Sequence, residues 1–214
     1  MNGVVLFDLD NTLIDRDRAF DQWAGQFLAT RNLDPAELSW LVSADEDGKA
    51  PRHVFFAAVK ARYGLPDSEA SLVGAYQKES PAFYQPDPAL LDALQALRSA
   101  GWKIAVVTNG PASQENKIRS AGLDAVLDAW CMSEVEGVAK PERRIFEEAA
   151  RRSGTGLEGW MVGDTPEADI QGGLAAGLRT IWMTRGRTWD VTAYAPDVVA
   201  SDIVEATHRI LEAT

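Results

Sequence analysis

The sequence predicts an α/β protein: a parallel sheet core with helices on both faces, plus a small all-helical insertion after the first strand. Three observations carry this reading. Short, continuously apolar runs recur along the chain with helix-patterned intervals between them, the mark of strands buried on both faces of a sheet. Between residues 15 and 85, four helical stretches follow one another with no strand-like run among them. The 214 residues, 46% hydrophobic and 25% charged, suffice for one substantial core plus a small module.

The elements follow in order. Val4-Val5-Leu6-Phe7 is a compact β-type run that ends in acids. Arg18 to Ala29, Pro35 to Val42, Val54 to Tyr63 and Ser68 to Lys78 then read as helices, with Asp34-Pro35 opening one and Gly64 closing another. Trp23, Phe27, Phe55 and Phe56 stand at helix-compatible spacings and read as the core of this module. The expected division is therefore 1–14 with 86–214 as the main domain and 15–85 as the insertion. Pro88 to Ser99 begins the return to β/α alternation. Ile104 to Val107 is the second strand, ending at Thr108-Asn109-Gly110, with Pro111 opening a helix that includes Ile118 to Ala121. Val126-Leu127 to Trp130-Cys131 is a weaker third strand, followed by a helix over Arg144 to Arg152. Trp160 to Val162 is the fourth, ending at Gly163-Asp164, and Ile170 to Ala176 is helical. Thr180 to Met183 is the fifth.

Composition narrows the function. Lys and Arg total 21 against 32 Asp and Glu, a formal net charge of −11. Such a chain has no overall basic field for a nucleic-acid backbone or an anionic membrane. The single Cys131 rules out an internal disulfide, and only His53 and His208 could serve as imidazole ligands. A Cys/His zinc centre cannot be assembled from that stock. A bound metal would be held by carboxylate oxygens, which favours a hard cation such as Mg²⁺. Met1-Asn2-Gly3 leads straight into the first strand without a basic leader or apolar h-region. No stretch reaches the roughly 18 uninterrupted apolar residues of a spanning helix. A soluble, cytoplasmic protein is expected.

The polar residues at the strand ends carry the chemistry. In an extended segment residues i and i+2 point the same way, so Asp8 and Asp10 are expected to project together. Asp8-Leu9-Asp10-Asn11-Thr12 is equally good turn chemistry. Thr108 with the backbone N–H groups of Asn109 and Gly110 could cradle an anion, or simply turn strand into helix. Lys140 alone reads as surface. Gly163-Asp164-Thr165-Pro166-Glu167-Ala168-Asp169 again offers carboxylates at a strand end. Together these pieces say more. Ligands of doubly wound sheets sit outside the carboxyl ends of the strands, and all these groups could meet at one such edge. Four carboxylates, a hydroxyl and an ammonium gathered there need a divalent cation to relieve repulsion. An anionic substrate could then bridge the metal, Lys140 and the cradle, which is equipment for phosphoryl transfer.

In this order, Asp8-Leu9-Asp10-Asn11-Thr12, Thr108, Lys140 and Gly163-Asp164 through Asp169 resemble the four motifs of the haloacid dehalogenase-like (HAD) hydrolase superfamily. The resemblance implies a Rossmann-like catalytic core, and the helical insertion resembles the family's C1 cap. Residues Gly163 to Leu174 are similar to the fourth motif of N-acylneuraminate-9-phosphatase and its relatives, among C1-capped phosphatases. By resemblance, Asp8 would be the nucleophile that forms an aspartyl-phosphate, and Asp10 the general acid and then the base. Thr108, with Asn109 and Gly110, would hold the phosphoryl oxygens, and Lys140 would neutralise charge on nucleophile and phosphate. Asp8, the Asp10 carbonyl and Asp164 would ligate Mg²⁺, with Asp169 supporting that shell or Lys140. The resemblance further implies that the acid at position 10 favours phosphate-ester hydrolysis over dehalogenation.

In the cap, Asp45 to Arg52 is a polar loop between helices whose Lys49, Arg52 and His53 could read a substrate or lie as solvated surface. Residues 15–85 carry 8 basic and 11 acidic side chains, a net of −3, so a small phosphorylated metabolite is expected rather than a polyanion. The leading expectation is a Mg²⁺-dependent phosphatase. Alternatives are a sugar-phosphate mutase of the same superfamily and a phospho-accepting, receiver-like signalling domain.

Overall fold

The structure, a computed structural model, describes residues 2–213. Two compact units divide the chain, Met1–Ile14 with Gln85–Thr214 and Asp15–Tyr84.

In the first unit, six parallel strands form one sheet in the order β3-β2-β1-β4-β5-β6. They are β1 (Val4–Phe7), β2 (Lys103–Thr108), β3 (Ala129–Met132), β4 (Gly159–Gly163), β5 (Arg179–Met183) and β6 (Val198–Ala200). All four residues of β1 are buried, as a central strand covered on both faces must be. The chain leaves β1 for one side of the sheet and later returns through β4 on the other, so the strand order reverses at the β1/β4 boundary. Register places Phe7 opposite Val106 of β2 and opposite Val162 of β4. Gly159 is required at the start of β4: its φ is 138°, and a Cβ there would stand 2.0 Å from the Val4 carbonyl oxygen.

The second unit contains α1 (Arg16–Thr30), α2 (Leu38–Asp45), α3 (Arg52–Tyr63) and α4 (Glu69–Glu79). Asp15 caps α1 by accepting from the Arg18 N–H, and Ser68 caps α4 by accepting from Ser71 N–H. Trp23, Phe27, Phe55 and Phe56 are buried in its core with Phe20 and Tyr76. Trp23 lies edge-on to Tyr76 with ring centroids 4.7 Å apart.

The remaining helices complete the sheet unit: α5 (Pro88–Ser99), α6 (Gln114–Ser120), α7 (Ser133–Glu136), α8 (Arg143–Arg152), α9 (Gly172–Ala175) and α10 (Ile203–Glu212). Ile145, Phe146, Ala149 and Ala150 of α8 bury one sheet face with Val4, Leu6, Ala105, Val107 and Met161. Alternation along the strands turns Val5, Phe7, Ile104 and Val106 to the other face, where α5 packs on β2 and against α10.

Two local expectations fail. The third strand begins at Ala129, because Val126 and Leu127 close a turn on Leu123 O. Pro111 does not open a helix: α6 starts at Gln114, whose N–H bonds Pro111 O in a turn. Ahead of α9, residues Pro166–Gln171 wind as a π-helical turn. Among the described residues, no helix is long and apolar enough to cross a membrane.

Candidate active site at the carboxyl edge of the sheet

The strand ends deliver the functional groups. Asp8 follows β1 directly and its N–H donates to Val162 O at 2.9 Å, which fixes it beside the end of β4. Asp164 follows β4, and Thr108 is the last residue of β2. Lys140 arrives from the segment between α7 and α8 and is held by its main chain. Lys140 N–H donates to Asn109 Oδ1 and Asn109 Nδ2 donates to Lys140 O, both at 2.9 Å. The Lys140-Pro141 peptide bond is cis.

The Lys140 ammonium is buried between two acids, donating to Asp8 Oδ1 at 2.5 Å and to Asp169 Oδ1 at 2.7 Å. Asp169 is 0% exposed, and its other oxygen accepts from the Thr165 N–H at 2.9 Å. Gly163 leaves the space for it, since a Cβ there would stand 2.3 Å from Asp169 Cγ. Asp8, Asp164 and Asp169 each offer an oxygen, and these atoms lie within 4.8 Å of one another.

Burial pushes the Asp8 carboxyl above the usual carboxylate range, with Lys140 pulling it down and Asp169 pushing it up. Burial also raises Asp169 against the pull of Lys140, and raises Asp164 with help from the Asp8 charge. Burial alone would lower Lys140, but Asp169 and Asp8 outweigh it and hold the ammonium above its ordinary value. Lys140 is therefore a fixed positive charge at neutral pH.

Asp10 has partners of its own. Its carboxylate is not among the three clustered acids. It faces α6, where Lys117 Nζ donates to its Oδ1 at 2.7 Å and to its Oδ2 at 2.8 Å. The strand ends at Phe7, and Asn11 at φ 63° turns the chain while the Leu13 and Ile14 N–H groups return to Leu9 O. The expected cradle is partly spent, since Gly110 N–H donates to Ser133 Oγ at 3.0 Å; the bonds of Asn109 to Lys140 use its side-chain amide. Thr108 is buried, and its Oγ1 accepts from Gln114 Nε2 at 3.0 Å, which leaves its own O–H to donate elsewhere.

In the helical unit, Arg52 is committed internally. It bonds Asp45 Oδ1 at 2.6 Å, and Arg16 pairs with the other Asp45 oxygen. Lys49 and His53 are exposed.

Sequence reasoning missed five polar partners of these groups: Gln114, Lys117, Ser133, Arg185 and Arg187. Arg185 and Arg187 contact Asp164 Oδ2 at 3.3 and 3.1 Å, and Arg187 also donates to the Asp164 carbonyl at 2.7 Å. No spacing rule links them to position 164, because they come from the loop after β5. Gln114 and Lys117 did carry a signal, a three-residue helical spacing directly after the second motif.

The haloacid dehalogenase-like hydrolase family model matches residues 3–177. Glyceraldehyde 3-phosphate phosphatase of Methanopyrus kandleri is 31% identical over 229 residues, covering 99% of this chain and 97% of that protein. Phosphoserine phosphatase of Thermus thermophilus is 31% identical over 163 residues, covering 74% of this chain and 64% of that protein. A magnesium-bound crystal structure of YfnB from Bacillus subtilis superposes with a TM-score of 0.76 at 26% identity, covering 97% of this chain and 98% of that one.

Proposed function

The chain belongs to the haloacid dehalogenase-like hydrolase family, and from that premise we propose that it is a Mg²⁺-dependent phosphatase of a small phosphorylated metabolite, with residues 15–85 as its C1 cap. The observation that carries this reading is the buried Lys140 ammonium bridging Asp8 and Asp169, with Asp164 completing a compact group of carboxylates. Relatives named for glyceraldehyde 3-phosphate and phosphoserine support a small phosphate ester as substrate.

The donor set fits magnesium: all three side chains offer hard oxygen, and no imidazole or thiolate stands among them. Asp8 and Asp164 would hold the ion, with the Asp10 carbonyl proposed beside them. Both oxygens of Asp169 are engaged by Lys140 and Thr165, which suits a supporting role behind the ion. When bound, the metal supplies positive charge to bring an anionic phosphoryl group against an anionic nucleophile.

The chain's own residues do the rest. An Asp8 oxygen attacks phosphorus, the bond to the ester oxygen breaks, and Asp10 gives its proton to the departing alcohol. Asp10 then takes a proton from water, whose oxygen attacks phosphorus and releases Asp8 and inorganic phosphate. Lys140 balances charge on Asp8 and the phosphoryl oxygens throughout, and Thr108 donates its O–H to one of those oxygens.

The test is phosphate release from a panel of small phosphomonoesters with and without Mg²⁺, for the parent and for Asp8→Asn. The expected result is metal-dependent release that the substitution cuts by at least about a thousandfold. Equal turnover by the variant would sink the nucleophile assignment. Isomerisation of a hexose phosphate without phosphate release would mark a mutase instead.

A further inference from the structure

Lys117 and Gln114 lie three residues apart on α6 and reach the same carboxylate. Lys117 takes both oxygens of Asp10, and Gln114 Nε2 donates to Asp10 Oδ2 at 2.8 Å while also donating to Thr108 Oγ1 at 3.0 Å. One amide NH₂ thus ties the proposed acid–base group to the proposed phosphoryl-binding hydroxyl, and its two donors are both used. Gln114 is 5% exposed, and the Lys117 side chain is 13% exposed. Partners this enclosed, joined across more than a hundred residues of sequence, have little freedom to place Asp10 elsewhere.

We propose that Lys117 and Gln114 are positioning residues for the acid–base step. They would fix the Asp10 carboxylate relative to Thr108, so that proton donor and phosphoryl group meet in register. The inference rests on the phosphatase reading of Asp10. It carries a chemical signature, because proton donation matters for a poor alkoxide leaving group and little for p-nitrophenolate. A positioning defect therefore lowers kcat on alkyl phosphates, leaves KM nearly unchanged, and spares phosphoryl transfer from p-nitrophenyl phosphate.

The experiment compares Lys117→Met and Gln114→Met with the parent in single-turnover assays on an alkyl phosphate and on p-nitrophenyl phosphate, with Mg²⁺ present. Circular dichroism checks the fold of each variant, and Lys117→Gln stands in if Lys117→Met fails to fold. The expected loss for Lys117→Met is roughly 10- to 100-fold on the alkyl ester and under about threefold on p-nitrophenyl phosphate; Gln114→Met, which also frees Thr108, should lose at least as much on the alkyl ester and more than Lys117→Met on p-nitrophenyl phosphate. Lys117→Arg, which keeps a cationic donor, should restore most of the alkyl rate. In an Asp10→Ala background, Lys117→Met should change the residual rate by less than about twofold, since its effect acts through the missing group. Unchanged alkyl turnover by both variants would overturn the proposal. So would equal losses on both esters from Lys117→Met, or a loss that persists without Asp10, since either means direct contact with the phosphoryl group or a general structural defect. Asp10→Ala separates the two levels: full alkyl activity there defeats the acid–base reading itself, and the positioning role with it. An impaired Asp10→Ala beside an intact Lys117→Met defeats the positioning role alone.

Discussion

Gly163→Ala tests how tightly the sheet edge and the site are built into one another. A Cβ at this position would lie 2.3 Å from both Asp169 Cγ and Asp169 Oδ2, and 2.5 Å from Asp169 Cβ. A side-chain terminus can often swing away from such a contact at little cost. Asp169 cannot, because it is 0% exposed and bonded to Lys140 at 2.7 Å and to the Thr165 N–H at 2.9 Å. Displacing it surrenders a charged hydrogen bond, about 1.5–3 kcal/mol, and overpacking adds about 1–3 kcal/mol. A loss of about 3 kcal/mol corresponds to a fall of roughly 6–12 °C in the calorimetric transition of the sheet unit. Repeating the substitution in an Asp169→Gly background removes the obstructing side chain, and the cost should shrink below about 1 kcal/mol. A Gly163→Ala protein that melts within about 2 °C of the parent would refute the steric account. A full loss that persists in the double variant would refute the identity of the clashing partner.

Other expectations concern single side chains. Lys140→Ala should lower phosphate turnover by two or more orders of magnitude, because it removes a fixed charge aimed at the transition state; unchanged kinetics would contradict this. Asp45→Ala should destabilise the helical unit by about 3–5 kcal/mol in urea unfolding, since Asp45 is 1% exposed and Arg16 would lose its buried counter-charge. Asp128 accepts from Ile104 N–H, Lys103 and Arg98 at 2.9, 2.9 and 3.0 Å. Burial raises its carboxyl, but these partners outweigh that and hold it below the usual range. Its stabilisation is therefore complete above the unfolded value of about 3.9 and is lost as pH falls through the lower folded value. Asp128→Asn should be less stable than the parent at pH 7 and show a shallower stability loss below about pH 4.

The strands were legible where the physics is local. Val4–Phe7, Ile104–Val107, Trp160–Val162 and Thr180–Met183 are buried on both faces, so burial wrote continuous apolar runs. β6 left no such mark, because it has three residues and Val199 is 45% exposed. The final helix, α10, carries buried Ile203, Ala206, Thr207 and Ile210 at helical spacing, a pattern the strand-led reading passed over. At the site, the strand-end rule anticipated one group of Asp8, Asp10, Thr108, Lys140, Asp164 and Asp169; Lys140 joins Asp8 to Asp169, with Asp164 beside them. It could not supply the arginines brought to Asp164 by a loop. Loop reach is set by tertiary packing and leaves no period in the sequence.

The most direct test of the central claim is acid-quench mass spectrometry during turnover of a small phosphomonoester with Mg²⁺. A covalent phosphoryl group is expected on the peptide containing Asp8, lost on chasing with water and absent in Asp8→Asn. Turnover without that adduct in a quench fast enough to catch it, or a phosphoryl group mapped to a residue other than Asp8, would contradict it.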